Sequence, residues 1–496
     1  MATVGLSCQE PQPRMGLVGG LGATAGADIL HRIIQAAPDR SDGQHLDISF
    51  VQHPFREALN PSDPDYGPTG RKLYVYDMIR TMQAGDRDIA LVPCFVSQTF
   101  LDEVVPEVDI QVIGIGEAIR DKLQAKGNLK LGVLTSTYVR KTAYLEAFFA
   151  PAHQVIYPNA NNQAALMEAI YGPDGLKSRE PAQSANDAIL KACGDLLDQG
   201  ADVILPGFTD IPALMGSVFE TAALPLLDCN QIFADYVART SAKRVAKPFK
   251  VGVVGGVGPA ATVDFISRVV ENTPAARDQD HIKVVVEQNP QIPDRTANLA
   301  GHGNDPTVAL YATCKKLEQA GADIIAIPCN TAHAFVDRIQ GHIQILIVNM
   351  LTETVAHIMQ NFSGVRRVGL LATSGTVQSQ LYHAAANSAG LDLIAPDPAV
   401  QDIVMESIYG ENGVKAGFTS GVCKTQLREA CNHLRDLGAE VLILGCTELP
   451  LIRPAATADL PPMLDPTEIL ARKCVSLART AGAYTPDNTQ WSSAHV

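Results

Sequence analysis

The sequence predicts an α/β protein built as a tandem repeat, each half carrying two α/β lobes of mostly parallel sheet with a cleft between them. Three observations carry that expectation. Met15–Ile33 (MGLVGGLGATAGADILHRI) returns as Val251–Val269 (VGVVGGVGPAATVDFISRV), with the glycines in register 236 residues apart, and a repeat of this length is a whole domain. Within each half, short apolar runs alternate with segments of helical period, the signature of parallel strands joined by covering helices. At 496 residues the chain is also too long for one ordinary domain.

The repeat runs through nearly the whole chain. Gln83-Ala84-Gly85 recurs as Gln319-Ala320-Gly321, Pro93-Cys94 as Pro328-Cys329 one residue out of register, MEAIYG (Met167–Gly172) as MESIYG (Met405–Gly410), and Leu227-Asp228 as Leu464-Asp465. In the second half the strands read as 250–255, 282–287, 323–327, 345–348, 367–371, 391–395 and 440–444. The helix over 307–320 places Leu310, Cys314 and Leu317 on one face and ends at Gly321. Val75, Met78, Ile79 and Met82 form the matching stripe in the first half. The basic stretch Arg239–Phe249 reads as an exposed joint, giving repeats over 1–245 and 246–484 and a loose polar tail over 485–496.

Composition limits the function. Apolar residues make up 46% and charged residues 19%, enough for sizeable cores. A net charge of −14 with a pI near 5.3, one Trp and 5% aromatics argue against nucleic-acid partners. The ten cysteines contain no CxxC pair, which removes the main support for a zinc ribbon, and no ligand cluster for a metal is visible. Met1–Arg14 has no apolar core of a secretory signal, and no run is long enough to span a bilayer. The expectation is a cytoplasmic protein of a reducing compartment with no membrane partner.

The chemistry is sought at strand ends, where open α/β sheets bind ligands. IIAIPCNTAH (Ile324–His333) is an apolar run that opens on Cys329, and VLILGCTELP (Val441–Pro450) repeats the design at Cys446. A thiol at a helix amino terminus is favoured as thiolate. The bland reading of a free Cys is a small core residue, and it is preferred for Cys314, Cys423, Cys431 and Cys474, which lie within helical patterns. Gly256-Val-Gly258-Pro-Ala-Ala261 fits the G-x-G-x-x-A form of a dinucleotide fingerprint, but Glu287 comes too late to be its acidic partner. The glycines at Gly256 read instead as letting backbone approach a small substrate.

VGVVGGVGP, NPQIPDRT, PCNTAH, VGLLAT, IYGENGVKAG and ILGCTE occur in that order over about 251–452. Together they resemble the cofactor-independent aspartate/glutamate racemase family, in its aspartate racemase branch. The resemblance implies two lobes that each present a catalytic cysteine, here Cys329 and Cys446, to a small dicarboxylic amino acid, with no cofactor. The residue chemistry agrees. Inverting an α-carbon takes a base on one face and an acid on the other, and a thiol with an ordinary pKa near 8.5 reaches both states near working pH. The resemblance also assigns Arg295 and Lys415 to substrate carboxylates. It supports Asn330, Thr331 and Thr447 as donors to the α-carboxylate, beside the alternative that they merely cap helices. His333 and Glu448 sit near the thiols, where tuning of a thiol, capping of a helix and a plain solvated position are all open.

The first half departs from the pattern. Cys94 and Lys177 are kept, but Asn330, Thr331 and Cys446 are answered by Phe95, Val96 and Phe208, and Leu59 stands in the register of Arg295, with Arg56 three residues away. One thiol cannot run two-base chemistry, so the first half reads as non-catalytic, a built-in partner forming a pseudo-dimer within one chain, with further oligomers open. Two other readings remain at this stage: a thiol-dependent isomerase or decarboxylase of a small diacid, and a silent sensor of acidic amino acids.

Overall fold

The computed structural model describes residues 12–37, 45–243, 245, 247–455 and 459–483; the expected tail over 485–496 lies outside them. The chain divides into two compact units, Met1–Lys247 and Pro248–Val496. The predicted α/β class holds, and every strand pairing among the described residues is parallel. No helix among them is long and apolar enough to cross a membrane.

In the first unit, β1 (Met15–Val18), β2 (Ile48–Val51), β3 (Ile89–Val92) and β4 (Gln111–Gly114) form a sheet in the order β2-β1-β3-β4. A second sheet is built from β5 (Leu129–Leu134), β6 (His153–Ile156) and β7 (Val203–Pro206) in the order β6-β5-β7, and its far edge is extended by an isolated parallel bridge from Ile204 to Leu226.

The second unit repeats the plan. β8 (Lys250–Gly255), β9 (Lys283–Gln288), β10 (Ile324–Ala326) and β11 (Leu346–Val348) lie in the order β11-β10-β8-β9. β12 (Arg367–Leu371), β13 (Asp392–Ile394), β14 (Val441–Leu444) and β15 (Met463–Leu464) lie in the order β13-β12-β14-β15. All seven strands expected here are present to within two residues at either end. β15 was not expected, because two residues after Pro461-Pro462 are too short to show a period.

The helix Pro466–Ala483 was not assigned to a lobe by sequence. It leaves the second lobe and returns to the first, where Leu470, Ala471, Cys474 and Val475 pack with Val251, Val253, Phe265, Ile324 and Ala326. Each fully buried aliphatic side chain in such a layer contributes roughly 1.5–3 kcal/mol. Cys314, Cys423, Cys431 and Cys474 are completely buried, as their helical patterns predicted. Burial pushes the thiols of Cys314, Cys431 and Cys474 up to about 12, so they stay protonated and inert.

The Leu-Asp pair that marks each repeat has a mechanical role. Asp465 accepts the Thr467 N–H at 2.9 Å to start the returning helix, and its other oxygen meets the Arg268 guanidinium at 2.9 Å. Arg268 also binds Asp264 at 2.7 Å and Glu468 at 3.1 Å. The same joint recurs in the first unit, where Arg32 binds Asp28 and Asp228 at 2.8 Å each and Asp228 caps the helix Cys229–Ala238.

Breaking a mostly buried pair leaves an uncompensated carboxylate, so Arg268→Leu is expected to lower the unfolding free energy by about 2 kcal/mol. Arg277→Ala removes an exposed pair with Asp280 and should leave the denaturation midpoint unchanged. Equal effects of the two in a urea titration would contradict this account of the returning helix.

Candidate active site

Both strand-end thiols of the second unit line one cavity of about 300 Å³. Val257, Arg295, Thr296, Cys329, Asn330 and Thr331 reach it from the first lobe. Thr373, Tyr409, Lys415, Gly445, Cys446, Thr447 and Glu448 reach it from the second. Seven of the eight residues singled out by sequence are therefore gathered at one place. Cys329 and Cys446 are 8% and 6% exposed.

The exception is Gly256. It does not line the cavity; its neighbour Val257 does. Gly256 has φ +85°, and a Cβ there would stand 2.3 Å from the Asn289 carbonyl carbon. The close approach that requires glycine is backbone against backbone, not backbone against substrate. Gly258, at φ +123°, is the glycine that makes room for a site residue, because a Cβ on it would come within 2.9 Å of Glu448 Oε1, and Gly445 is the glycine that lines the cavity itself.

The helix-terminus argument for the thiols also needs correction. Cys329 is followed by a six-residue 3₁₀ helix, Asn330–Phe335, and the turn after Cys446 is the four-residue 3₁₀ helix Leu449–Ile452. Neither is the α-helix expected, and such short segments carry little dipole. Side chains set the local field instead.

At Cys446 that side chain is Glu448. Its carboxylate is 4% exposed. Oε2 accepts the Cys446 S–H at 3.0 Å and the Thr447 hydroxyl at 3.2 Å, while Oε1 accepts from Lys415 Nζ at 2.6 Å. Burial first, and then the Glu448 charge, push the Cys446 thiol well above its ordinary range. Burial raises and Lys415 lowers the Glu448 carboxyl, with a net shift down. Burial works against the Lys415 ammonium, but Glu448 and then Cys446 outweigh it and hold the lysine charged. Lys415, expected on a substrate carboxylate, is thus already paired within the protein, and it also lies 5.3 Å from the centre of the Tyr409 ring.

At Cys329 the neighbour is Arg295. Burial opposes its charge, yet the Cys329 sulfur and Asp294 outweigh that and keep its pKa above the usual value. Arg295 Nη1 is anchored on the Ile292 and Pro293 carbonyls at 3.3 and 3.1 Å, whereas Nε is buried with no partner. Asn330 is in a similar state. Its carbonyl oxygen accepts the Tyr382 hydroxyl at 2.6 Å, and its amide nitrogen is buried without a partner. Buried donors without acceptors are costly, and two of them on one wall suit a ligand bearing oxygens.

Thr331 caps nothing. Its hydroxyl crosses between the lobes to Thr376 at 2.7 Å and Thr373 at 3.2 Å, and Thr296 reaches Thr373 at 3.3 Å. His333 does not touch the thiol. The Met350 N–H donates to Nε2 at 3.1 Å, so the proton sits on Nδ1, which donates to the Cys329 carbonyl at 3.0 Å. Burial lowers its pKa, and the neutral ring fixes the backbone that carries Cys329.

Sequence reasoning passed over Tyr409, Thr296, Thr373 and Tyr382, and left Glu448 undecided. Tyr409 was findable: it is the tyrosine of MESIYG, and Tyr171 of MEAIYG lines the corresponding cavity of the first unit.

That cavity measures about 560 Å³ and contains Cys94, Phe95, Val96, Phe208, Lys177 and Asp210. Lys177 binds Asp210 at 2.7 Å, the counterpart of Lys415 and Glu448. An arginine absent from the expected register arrives from another element: Arg71, on the helix Thr69–Ala84, places Nη1 3.4 Å from Cys94 Sγ and pairs with Glu57.

A family model described as Asp/Glu/Hydantoin racemase matches the chain twice, over residues 18–237 and 254–474. The chain belongs to the Asp/Glu/hydantoin racemase family. It is a tandem member, and an amino-acid racemase, an isomerase. Among curated relatives, the broad specificity amino-acid racemase RacX of Bacillus subtilis (strain 168) is 26% identical over 234 residues, covering 46% of this chain and 96% of its own. The glutamate racemase of Koribacter versatilis (strain Ellin345) is 30% identical over 198 residues, covering 38% of this chain and 65% of its own. A solved structure of Picrophilus torridus aspartate racemase is 33% identical, covers 47% of this chain and 94% of its own, and superposes with a TM-score of 0.42. The resemblance drawn from six motifs of the second repeat is met there, and the family model matches the first repeat as well.

Replacing Glu448 with Gln removes the charge that holds the proton on Cys446 while leaving Lys415 positive. Glu448→Gln is expected to move the Cys446 thiol down toward its ordinary value, so that its alkylation by iodoacetamide begins at lower pH. An unchanged pH profile would mean that burial alone keeps that proton.

Proposed function

We propose that the second repeat racemises an acidic amino acid, aspartate or glutamate, by two-base proton transfer between Cys329 and Cys446. The observation that carries this is the pair of thiols, one from each lobe, lining a single small cavity. One sulfur abstracts the α-proton while the other delivers a proton to the opposite face, and each turnover exchanges their roles.

The charges around the site suggest a resting state. Cys446, donating to Glu448 and pushed up in pKa, holds its proton and acts as the acid. Cys329, beside Arg295, then serves as the base for the first turnover. The unpartnered Arg295 Nε and Asn330 Nδ2 give a substrate carboxylate two donors, and the hydroxyls of Thr331 and Thr447 flank them. Lys415 acts through Glu448, or meets a carboxylate once Glu448 is displaced. A wall with these donors suits a diacid better than an apolar amino acid, since buried polar groups left unpaired penalise a substrate that cannot bond them. Two of the relatives are named for acidic amino acids, a glutamate racemase and an aspartate racemase, while a third is named as a broad specificity amino-acid racemase.

On this reading residues 246–484 are the catalytic repeat. The first repeat, with Phe208 in place of the second thiol, is non-catalytic. No cofactor takes part.

The test is racemisation of L- and D-aspartate and L- and D-glutamate by the intact chain and by Cys329→Ala and Cys446→Ala. Each substitution should cost about 10²–10⁴-fold or more in both directions, while Cys94→Ala leaves the rate as it was. Full activity in either of the first two variants, or loss with Cys94→Ala alone, contradicts the assignment.

A further inference from the structure

The two repeats build the same strand-end corner from different residues, and the differences are of two kinds. In the first kind the side chain changes and its bonds stay. His333 follows Cys329 at the spacing at which Gln98 follows Cys94. His333 donates to the Cys329 carbonyl at 3.0 Å and accepts the Met350 N–H at 3.1 Å. Gln98 donates from Nε2 to the Cys94 carbonyl at 3.2 Å and accepts the Gly116 N–H on Oε1 at 3.1 Å. This brace belongs to the scaffold and is kept in both repeats.

In the second kind the bond itself is gone. Tyr382 is the second residue of the helix Leu381–Ser388 in the second lobe, and its hydroxyl crosses to Asn330 Oδ1 in the first lobe at 2.6 Å. In the first repeat Phe95 stands for Asn330, and Leu145 stands for Tyr382 as the second residue of Tyr144–Phe149. The two helices correspond, since each starts from a residue in the left-handed region, Ala143 in one and Gln380 in the other. Phe95 and Leu145 are buried in one apolar cluster. A polar pair has thus been exchanged whole for an apolar one. Such an exchange can be nearly neutral for stability, so the corner can be built without the bond between Tyr382 and Asn330.

The bond fixes an amide. Asn330 is 3% exposed and lines the cavity. With Oδ1 held by the phenol, Nδ2 is left as a buried donor without a partner. An amide turned over would offer an acceptor in its place, and a carboxylate, itself only an acceptor, would have nothing to bond. Tyr382 does not line the cavity and acts through Asn330. We propose that Tyr382 is a positioning residue for substrate recognition: by holding Oδ1 it keeps the Asn330 Nδ2 donor for a substrate carboxylate. The inference rests on the diacid racemisation proposed for the second repeat.

A double-mutant cycle on the intact chain tests it, with Tyr382→Phe, which removes a hydroxyl and keeps the ring, Asn330→Ala, and both together. One readout is kcat and KM for aspartate and glutamate. The other is the succinate concentration that halves alkylation of Cys329 by iodoacetamide, which reports the cavity around that thiol and needs no turnover. Tyr382→Phe is expected to raise KM and the protecting succinate concentration about tenfold while kcat stays within about twofold. Asn330→Ala should do at least as much, and the double variant no more than Asn330→Ala. Unchanged KM and succinate protection in Tyr382→Phe, a fall in kcat alone, or effects that multiply in the double variant overturn the inference, the last two being the mark of a merely structural hydroxyl. Full activity of Cys329→Ala or Cys446→Ala alongside the expected cycle would remove the two-thiol reading and leave the role of Tyr382 standing. Neither turnover nor protection by millimolar succinate in the intact chain would overturn both.

Discussion

A parallel sheet brings the carboxyl ends of its strands to one edge, and that constraint governs the second repeat. Pro328-Cys329 follows β10 and Gly445-Cys446 follows β14, each a central strand of its own sheet. A thiol placed there is carried at the end of a fully buried strand. Two such edges supply two sulfurs to one cavity without any loop having to reach across. The lobes are held at that edge by the hydroxyls of Thr331, Thr373 and Thr376, and by the Pro466–Ala483 helix, which leaves one sheet and is buried against the other.

Within this frame the two sulfurs are chemically unequal. One meets a carboxylate and the other a guanidinium. Glu448 is the pivot of its side: it takes the Cys446 proton donor, the Thr447 hydroxyl and the Lys415 ammonium on two oxygens, and Gly258 leaves room for it. A ligand carboxylate entering this wall would compete with Glu448 for Lys415, and on the proposed function that competition would couple substrate binding to the protonation of Cys446. The opposite wall holds its donors ready, with Arg295 Nε and Asn330 Nδ2 buried and unpaired.

Much of this was readable in the chain. The repeat, the lobes, the parallel strands and the meeting of seven of the eight candidate residues at one cavity follow from periodic apolar runs, from residues at strand ends and from a resemblance carried by six motifs. The failures share a physical cause: sequence reports spacing, not partners. Gly256 looked like a substrate-facing glycine, yet Asn289 is what crowds it. His333 looked able to tune a thiol, yet its ring is spent on two backbone groups. Glu448 looked no different from a surface carboxylate because the lysine that justifies its burial lies 33 residues earlier, and Arg71 was invisible because it replaces Arg295 from a different helix. β15 was too short to have a period at all.

The first repeat shows how little must change to alter a site's chemistry on an unchanged scaffold. Its sheets keep the order of the second unit, its Arg32 joint matches the Arg268 joint, and its lysine–carboxylate pair persists; three side chains turn a polar cavity into a partly apolar one. Of those three changes, the loss of the second sulfur is the one on which the proposed chemistry turns, and that claim can be put to one measurement. With L-aspartate in D₂O at initial rates, proton transfer between two thiols places solvent deuterium in the D-aspartate formed while recovered L-aspartate keeps its α-protium. Deuterium entering recovered L-aspartate as fast as the product would mean that a single base serves both faces, and the pairing of Cys329 with Cys446 would be wrong.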